Sequence, residues 1–443
     1  MHSEPPIATS PAGSNEFHPA RTGTFRCLGI GVIMAGLLYF APLRALAEDA
    51  EAEGLWSRDR LTGDWGSLRS EWEEKGVDLH LDVTSVVQGI ASGGVEKDAA
   101  VGGSADLFVN LDSEKMGLWP GGFLNLFAEA QFGDSVIQKT GAITASNTDA
   151  LFPLPDEDKV TLTSVVLTQF FTESIGVFAG KVETLEGDLN EFAGGRGKDQ
   201  FLNTNFVFSP ITLLSVPYSA LGGGLLYLLP DDKGMISVSA LDASGQPDEA
   251  GFDDAFGDGV LLSAEGRVEV NFFDRPGHQS LGVTYSTKEF KDLSDLGRLL
   301  LPPSVVAVGT KSGSWSVYYN FDHYLYVESD GEQGVGVFGR LGWADRDTNP
   351  IERFYSIGIG GKGIIPGRDR DSFGVGYYYQ EVSHKISDLV VGLADLADGQ
   401  GGEIWYSIEA TPWMHVTLDF QVIDSTGPAD VAIVTGLRAK VDF

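Results

Sequence analysis

Cysteine is almost missing from this 443-residue chain; Cys27 is the only one. It lies early in the apolar stretch "CLGIGVIMAGLLYFAPL", which follows Arg21 and Arg26 and runs into Ala45-Leu46-Ala47. A basic start, an apolar core of about 15 residues and a small-residue site predict a Sec-type signal peptide over 1–47, cleaved before Glu48. The core is short for a bilayer-spanning helix of ~20 residues, and Cys27 is placed too early to be a lipoprotein attachment site. The mature chain is then free of thiols. That excludes disulfides, cysteine-ligated zinc and cysteine nucleophiles together, and with them the disulfide-stapled secreted proteins.

Basic charge is the second scarcity, with 30 Lys and Arg against 63 Asp and Glu and a net charge of −33. The signal carries three Arg against Glu4 and Glu16, so its loss leaves the chain one unit more negative. Nucleic-acid binding needs Lys and Arg to neutralise phosphates, and no nucleic-acid partner is expected. Long apolar runs are missing too. The richest candidate after the signal, "ITLLSVPYSALGGGLLYLLP", is broken by Ser215, Pro217, Ser219 and Gly222-Gly223-Gly224, so no transmembrane helix is predicted. Catalytic signatures are equally sparse: there is no G-x-S-x-G, H-E-x-x-H or Walker A match. Gly358, Gly360 and Gly363 satisfy G-x-G-x-x-G but lead into Ile364-Ile365-Pro366, where a dinucleotide site needs a helix. No EF-hand spacing occurs among Asp248, Glu249, Asp253, Asp254 and Asp258. No enzyme, cofactor or metal site is therefore expected.

Glycine is in excess, at 57 residues where ordinary usage of ~7% would give about 31. The other abundant feature is alternation. From Leu262 to Phe272, Leu262, Ala264, Gly266, Val268, Val270 and Phe272 alternate with Ser263, Glu265, Arg267, Glu269 and Asn271. Similar segments are "GFLNLFAEAQFG", "SWSVYYNFD", "DSFGVGYYYQEV", "HVTLDFQVI" and "TGLRAKVDF". Period two marks strands with one apolar and one polar face. Tight turns such as "FDRPGHQ" recur with long acidic connections such as "LDASGQPDEAGFDDAFGDG", a pattern of antiparallel hairpins with unlike ends.

A soluble sandwich alternates as well, whereas a transmembrane barrel turns its apolar face to lipid and its polar face to a lumen. Three features favour the barrel. One is the export signal. Another is the clustering of aromatics near strand ends (Trp315, Tyr318, Tyr319, Tyr324, Tyr326; Tyr377, Tyr378, Tyr379; Trp405, Tyr406, Trp413), as interfacial belts require. The third is glycine at strand positions (Gly336, Gly339, Gly342; Gly358, Gly360; Gly374, Gly376), which suits a closely approached wall. A barrel with an export signal belongs in a Gram-negative outer membrane.

Five separated blocks carry a resemblance. "RLTGDWGSLRSEWEEKGVDL", "GDLNEFAGGRGKDQFLNTNF", "PYSALGGGL", "GIGGKGIIPGRDRDSFGVGYYY" and "ATPWMHVTLDFQVI…GLRAKVDF" run in order from Leu61 to Phe443. They resemble the carbohydrate-selective porins of the OprB family. The resemblance implies a single 16-stranded antiparallel barrel over 78–443, preceded by a helical segment over 48–77 on the periplasmic side. It implies facilitated diffusion of monosaccharides such as glucose, and a terminal Phe443 similar to the signal read by the outer-membrane assembly machinery. It is weakest over Gly141 to Asp158 and Asp242 to Asp258, which are expected to be extracellular loops.

In the helical segment Asp64 is the expected N-cap and Gly76 the residue past the end, with Trp65, Leu68 and Trp72 as an apolar stripe. A first strand is expected over Asp78 to Thr84. A sugar pore needs hydrogen-bonding groups at a constriction and aromatic faces for the pyranose ring. Arg196, Lys198, Asn203 and Asn205, on a Gly-rich segment long enough to fold inward, are the leading candidates. Lys181 and Glu183 are expected on the lumen side of strand Gly176 to Glu183. Glu129, Gln131, Glu265, Arg267, Glu269, Arg340, Asp419 and Gln421 share the polar sides of their strands. Charge-assisted hydrogen bonds make Arg and carboxylates good sugar partners, although each can equally form an ion pair in the wall. Alternatives open at this level are a general diffusion pore, a barrel enzyme using His80, His323, His384 or His415, and a secreted sugar-binding β-protein.

Overall fold

The computed structural model describes residues 54–152, 160–185, 189–293, 309–328, 333–386 and 397–443. The signal peptide expected over 1–47 and the end of the Gly141 to Asp158 stretch lie outside them. Described strands, in chain order, are β1 (Val77–Gly94), β2 (Ala99–Asp112), β3 (Gly122–Gly133), β4 (Val160–Phe170), β5 (Ile175–Glu183), β6 (Ser219–Leu228), β7 (Gly234–Asp242) and β8 (Val260–Phe272). They continue as β9 (Arg275–Lys291), β10 (Thr310–Val327), β11 (Gly334–Ala344), β12 (Ile351–Lys362), β13 (Ser372–Val382), β14 (Gly399–Thr411), β15 (Met414–Asp424) and β16 (Asp430–Asp442). Each pairs with its sequence neighbours and β1 closes on β16, giving a sixteen-strand antiparallel barrel. Closure removes both sheet edges, so the backbone groups of every strand are paired within the wall.

Connections are short at the end that carries the termini: residues 171–174, 229–233, 273–274 and 412–413 are among them. At the other end lie the long connections 134–159 and 184–218, together with 243–259 and 292–309. Along the strands the outward set is apolar and exposed, as in Leu225, Ile236, Val238, Leu262, Leu281, Val283, Ile357, Ile404 and Leu418. On β8 the alternating residues fall as the pattern predicts. Leu262 is exposed outside, while Glu265 receives the Tyr318 hydroxyl from within.

The lumen differs from the all-polar interior that simple alternation suggests. Phe192, Phe201, Phe206 and Ile211, all from the 184–218 connection, pack with Phe338, Phe354, Tyr378 and Trp405 of the wall into one buried apolar cluster. A sixteen-strand barrel is too wide for wall side chains to meet across it, and this inward-folded loop supplies the missing partners. Accordingly Tyr318, Tyr324, Tyr378 and Trp405, expected among the interfacial belts, turn inward. Trp315, Tyr326 and Tyr377 stay exposed on the outside.

Glycine makes room for the loop. Gly336, Gly360 and Gly374 stand abreast on β11, β12 and β13. A Cβ on Gly336 would lie 2.2 Å from the Phe192 ring, one on Gly374 within 2.9 Å of Phe201, and one on Gly376 2.5 Å from Phe206. The excess glycine is thus partly a bed for aromatic rings.

Helix α1 (Leu68–Glu74) begins three residues later than the Trp65 start expected. Trp65 and Ser67 sit at φ 52° and 71°, outside helical space, so the chain turns before it coils. Asp64 still serves the first turn, accepting from the Ser70 N–H (2.9 Å) and hydroxyl (2.7 Å). Gly76 ends the helix at φ 83°, a conformation glycine adopts without steric cost. Trp65 and Trp72 meet edge to face with centroids 6.1 Å apart. The segment is tied to the terminal strand by the Leu61 N–H, which donates to the Asp442 carbonyl (2.8 Å), and to the β14–β15 turn by Trp413 Nε1, which donates to the Leu55 carbonyl (2.8 Å). The first strand runs on to Gly94, well past Thr84.

Candidate functional site

The 184–218 connection carries α2 (Thr204–Val207) and α3 (Pro210–Leu213) and has two chemically different sides. Its aromatic side lies on the glycine bed. The opposite side presents Arg196 and Lys198 to β1–β3. Arg196 adopts φ 50° between Gly195 (71°) and Gly197 (81°). A non-glycine residue in this region costs on the order of 1–2 kcal/mol, which is tolerated where surrounding contacts over-determine the conformation. Those contacts are many. Arg196 Nη2 donates to Glu129 Oε1 (2.8 Å) and the Tyr218 hydroxyl oxygen (3.0 Å), and Nη1 to Glu183 Oε2 (3.3 Å). Thr163 and Tyr218 hydroxyls also donate to Glu129.

Lys198 forms a second cluster beside the first. Its ammonium donates to Ser104 Oγ (2.7 Å), contacts Asp106, and lies 3.5 Å from both Asp82 and Asp149. Burial opposes the charge of Lys198. The fields of Asp149, Asp106 and Asp82 outweigh it and hold the ammonium above the ordinary lysine value. Arg196 is likewise raised, burial being overcome by Glu183, Tyr218 and Glu129. Lys440 adds a bond to Asp199 (2.7 Å). Asp149 comes from the 134–159 connection, whose described part folds inward, with Thr144, Ser146, Thr148 and Asp149 buried. The stretch connects strands at the end with the long loops, and its hydroxyls find partners in the wall and the second loop, for example Thr148 Oγ1 donating to the Leu202 carbonyl (2.8 Å).

Other side chains fasten the loop. Glu403 of β14 accepts the N–H groups of Leu202 (2.7 Å) and Asn203 (2.8 Å). Asn203, expected at the constriction, is buried; its Nδ2 donates to Gln421 (3.0 Å) and its Oδ1 caps α2 through the Asn205 N–H (3.1 Å). Asn205 is fully buried too, donating to Thr144 Oγ1 (2.8 Å) and accepting from Gln380 (2.6 Å). Arg340, 1% exposed, donates to the carbonyls of Phe206 (2.8 Å), Val207 (3.3 Å) and Ala193. Arg438 donates to the Gly197 carbonyl (2.6 Å). These side chains spend their hydrogen bonds on the loop backbone and on one another, as buried polar groups need partners.

A cavity of about 510 Å³ opens on the charged side of the loop, lined by Arg196, Lys198 and Asp199, by Asp82, Asp106 and Lys440, and by Phe108, Glu265 and Tyr318. Across the loop a second space of about 390 Å³ includes Glu191, Lys362, Arg370, Trp405 and His415, and Asp199 borders both. Of the residues singled out from sequence, the structure brings together Arg196, Lys198, Glu129 and Glu183. Arg267 stands apart, donating to the Leu189 carbonyl (2.9 Å) beside a smaller cavity of about 220 Å³.

Lys181 departs from its expected lumen-side place. It is registered with Val165 and Leu221, on the side of exposed Leu167 and Leu225, and donates to the Pro247 (2.7 Å) and Glu249 (2.6 Å) carbonyls. Glu183 ends its strand and turns inward, so the two charges do not form a pair. Asp82, Asp106 and Phe108 join the site without having been among the candidates, although "VDLHLDVT" and "SADLFVNL" alternate visibly and place them on polar sides. Asp149, Asp199 and Tyr218 lie on loops and had no periodic signal.

Comparison with known proteins gives a consistent result. The profile described as carbohydrate-selective porin, OprB family, matches residues 96–443. Porin B of Pseudomonas aeruginosa is 24% identical over 423 residues, covering 86% of this chain and 91% of that protein. The high-pH structure of Pseudomonas putida OprB superposes with a TM-score of 0.78 at 21% identity, over 88% of this chain and all of that one. The low-pH structure of the same protein gives 0.56 at 18% identity, over 88% and 99%. At these identities the solved structures establish the fold.

Proposed function

This chain belongs to the carbohydrate-selective porins of the OprB family, an outer-membrane sugar channel, and from that premise we propose that its permeants are monosaccharides such as glucose. The observation that carries the reading is the charged side of the inward loop facing the 510 Å³ cavity. Arg196, Lys198, Asp199 and Lys440 offer donors and acceptors to sugar hydroxyls, and their ion-pair partners keep each group in place. Glu129 and Glu183 hold Arg196, while Asn203, Asn205, Arg340 and Glu403 hold the loop itself. Binding at such a constriction must stay weak enough for release.

In this reading residues 1–47 are the export signal, 48–77 an N-terminal segment and 78–443 the pore domain. The end with short turns and both termini faces the periplasm, and the outward apolar residues meet outer-membrane lipid. Phe443, whose N–H donates to the Leu81 carbonyl (2.8 Å), continues the last strand and is the contact for the assembly machinery. The chain works as a channel and not as a catalyst. Liposome swelling tests the permeant: glucose should enter faster than an amino acid of equal size, and equal rates would reduce the protein to a general diffusion pore.

A further inference from the structure

Along β1–β3 the lumen-facing positions are mostly polar. In consecutive registered rows Asp82 stands beside Asp106 and Glu129, and Thr84 beside Ser104 and Gln131. One row breaks the pattern. There His80 pairs with Phe108 and Phe108 with Phe127, two phenyl rings on a wall otherwise polar.

The rings lie parallel, with centroids 4.3 Å apart and planes 7° apart. The Arg196 guanidinium is 5.1 Å from the Phe127 centroid. Phe127 is therefore enclosed, 4% exposed, between the guanidinium and its neighbour. Phe108 is the ring that reaches the 510 Å³ cavity. It is held at a fixed angle by the stack behind it and lies one row from the carboxylates that bind Lys198.

On its other side the Phe108 ring meets His80, with centroids 6.1 Å apart and planes tilted by 42°, and the phenyl surface that reaches the cavity is apolar among polar groups. The chemistry it suits is a ligand with one apolar face and a polar rim. A pyranose is such a ligand, its axial C–H groups forming the face and its equatorial hydroxyls the rim. We propose that Phe108 is the stacking platform for a pyranose ring at this constriction, with Asp199, Lys440 and the loop cations meeting the ring hydroxyls. This rests on the sugar-porin reading and adds to it a residue that selects cyclic over open-chain polyols.

Liposome swelling over a range of concentrations, with glucose and with mannitol as an open-chain polyol of the same carbon count, tests it. Wild-type protein should saturate with glucose at a lower concentration than with mannitol. Phe108→Ala and the bulkier Phe108→Leu should raise the half-saturating glucose concentration about three- to tenfold, towards that for mannitol, and Phe108→Trp should keep it low. If Phe108→Leu retains the wild-type glucose value, or moves glucose and mannitol equally, the platform is refuted while the sugar-porin reading stands. If wild-type protein fails to saturate with glucose at all, that reading falls and the platform with it.

Discussion

Lys198 offers the sharpest perturbation of the constriction. Its ammonium is the cation at the centre of Asp82, Asp106 and Asp149, three carboxylates that are each at most 4% exposed. Replacing it in Lys198→Met keeps the aliphatic stem and removes the charge. Breaking a buried pair by deleting one partner costs about 3–5 kcal/mol, because the remaining charge stays desolvated, and here several charges are left. Two loops should respond, since Lys198 belongs to 184–218 and Asp149 to 134–159. The expected outcome is a lower melting midpoint in a heat-modifiability gel. In planar bilayers under a KCl gradient, the reversal potential should shift towards potassium as uncompensated carboxylates face the passage. Adding Asp106→Asn should recover part of both effects, as residues of one network couple non-additively. A Lys198→Met channel with wild-type melting and reversal potential would refute the claim that this lysine holds the acidic row.

Glu403→Ala removes the acceptor of two loop N–H groups. At roughly 1–3 kcal/mol for each buried donor left unpaired, loop residues 202–203 should exchange amide hydrogens faster, and unchanged exchange would contradict the fastening role. Gly336→Val places a Cβ 2.2 Å from the Phe192 ring; overpacking of about 1–3 kcal/mol should displace the loop and alter single-channel conductance, whereas Gly266→Ala, with its nearest neighbour at 3.7 Å, should not. In the turn 363–371, burial raises the Asp371 carboxyl, but hydrogen bonds from Tyr406 and Arg368 outweigh it and hold the group below the ordinary aspartate value. Its stabilising contribution is therefore present above pH ~4 and lost as pH falls through the lowered value. Acid should loosen this turn in wild type but move it less in Asp371→Asn, as limited proteolysis would record.

Strands were the legible part of this sequence, because period two survives wherever one face meets lipid and the other meets water. The alternation of Leu262 to Phe272 and of "TGLRAKVDF" corresponds to β8 and β16. Loops were less legible. Nothing local in "TASNTDA" tells that Thr144, Thr148 and Asp149 are buried, since their partners come from distant strands and from the second loop. For the same reason Asn203 and Asn205 read as open pore donors, yet they are satisfied by Gln421, Thr144 and Gln380. Alternation put Lys181 on the same side as Glu183, whose carboxylate at the strand's last position is held from within by Arg196, whereas Lys181 turns to the carbonyls of Pro247 and Glu249. The helix start was misplaced because two positive φ values, at Trp65 and Ser67, have no signature in residue type. Glycine frequency pointed to close approach, but that the approaching groups were phenyl rings from a loop was visible only in three dimensions.

The near absence of cysteine permits a direct test of where water runs. On the proposed processing, which removes Cys27 with residues 1–47, Asp199→Cys puts a lone thiol beside both cavities, and Leu225→Cys puts one on the exposed outer face. Adding a bulky charged thiol reagent to the aqueous phase during single-channel recording should reduce current in Asp199→Cys channels and leave Leu225→Cys channels unchanged. Steady current at Asp199→Cys, with block at Leu225→Cys, would contradict a passage through the middle of the barrel.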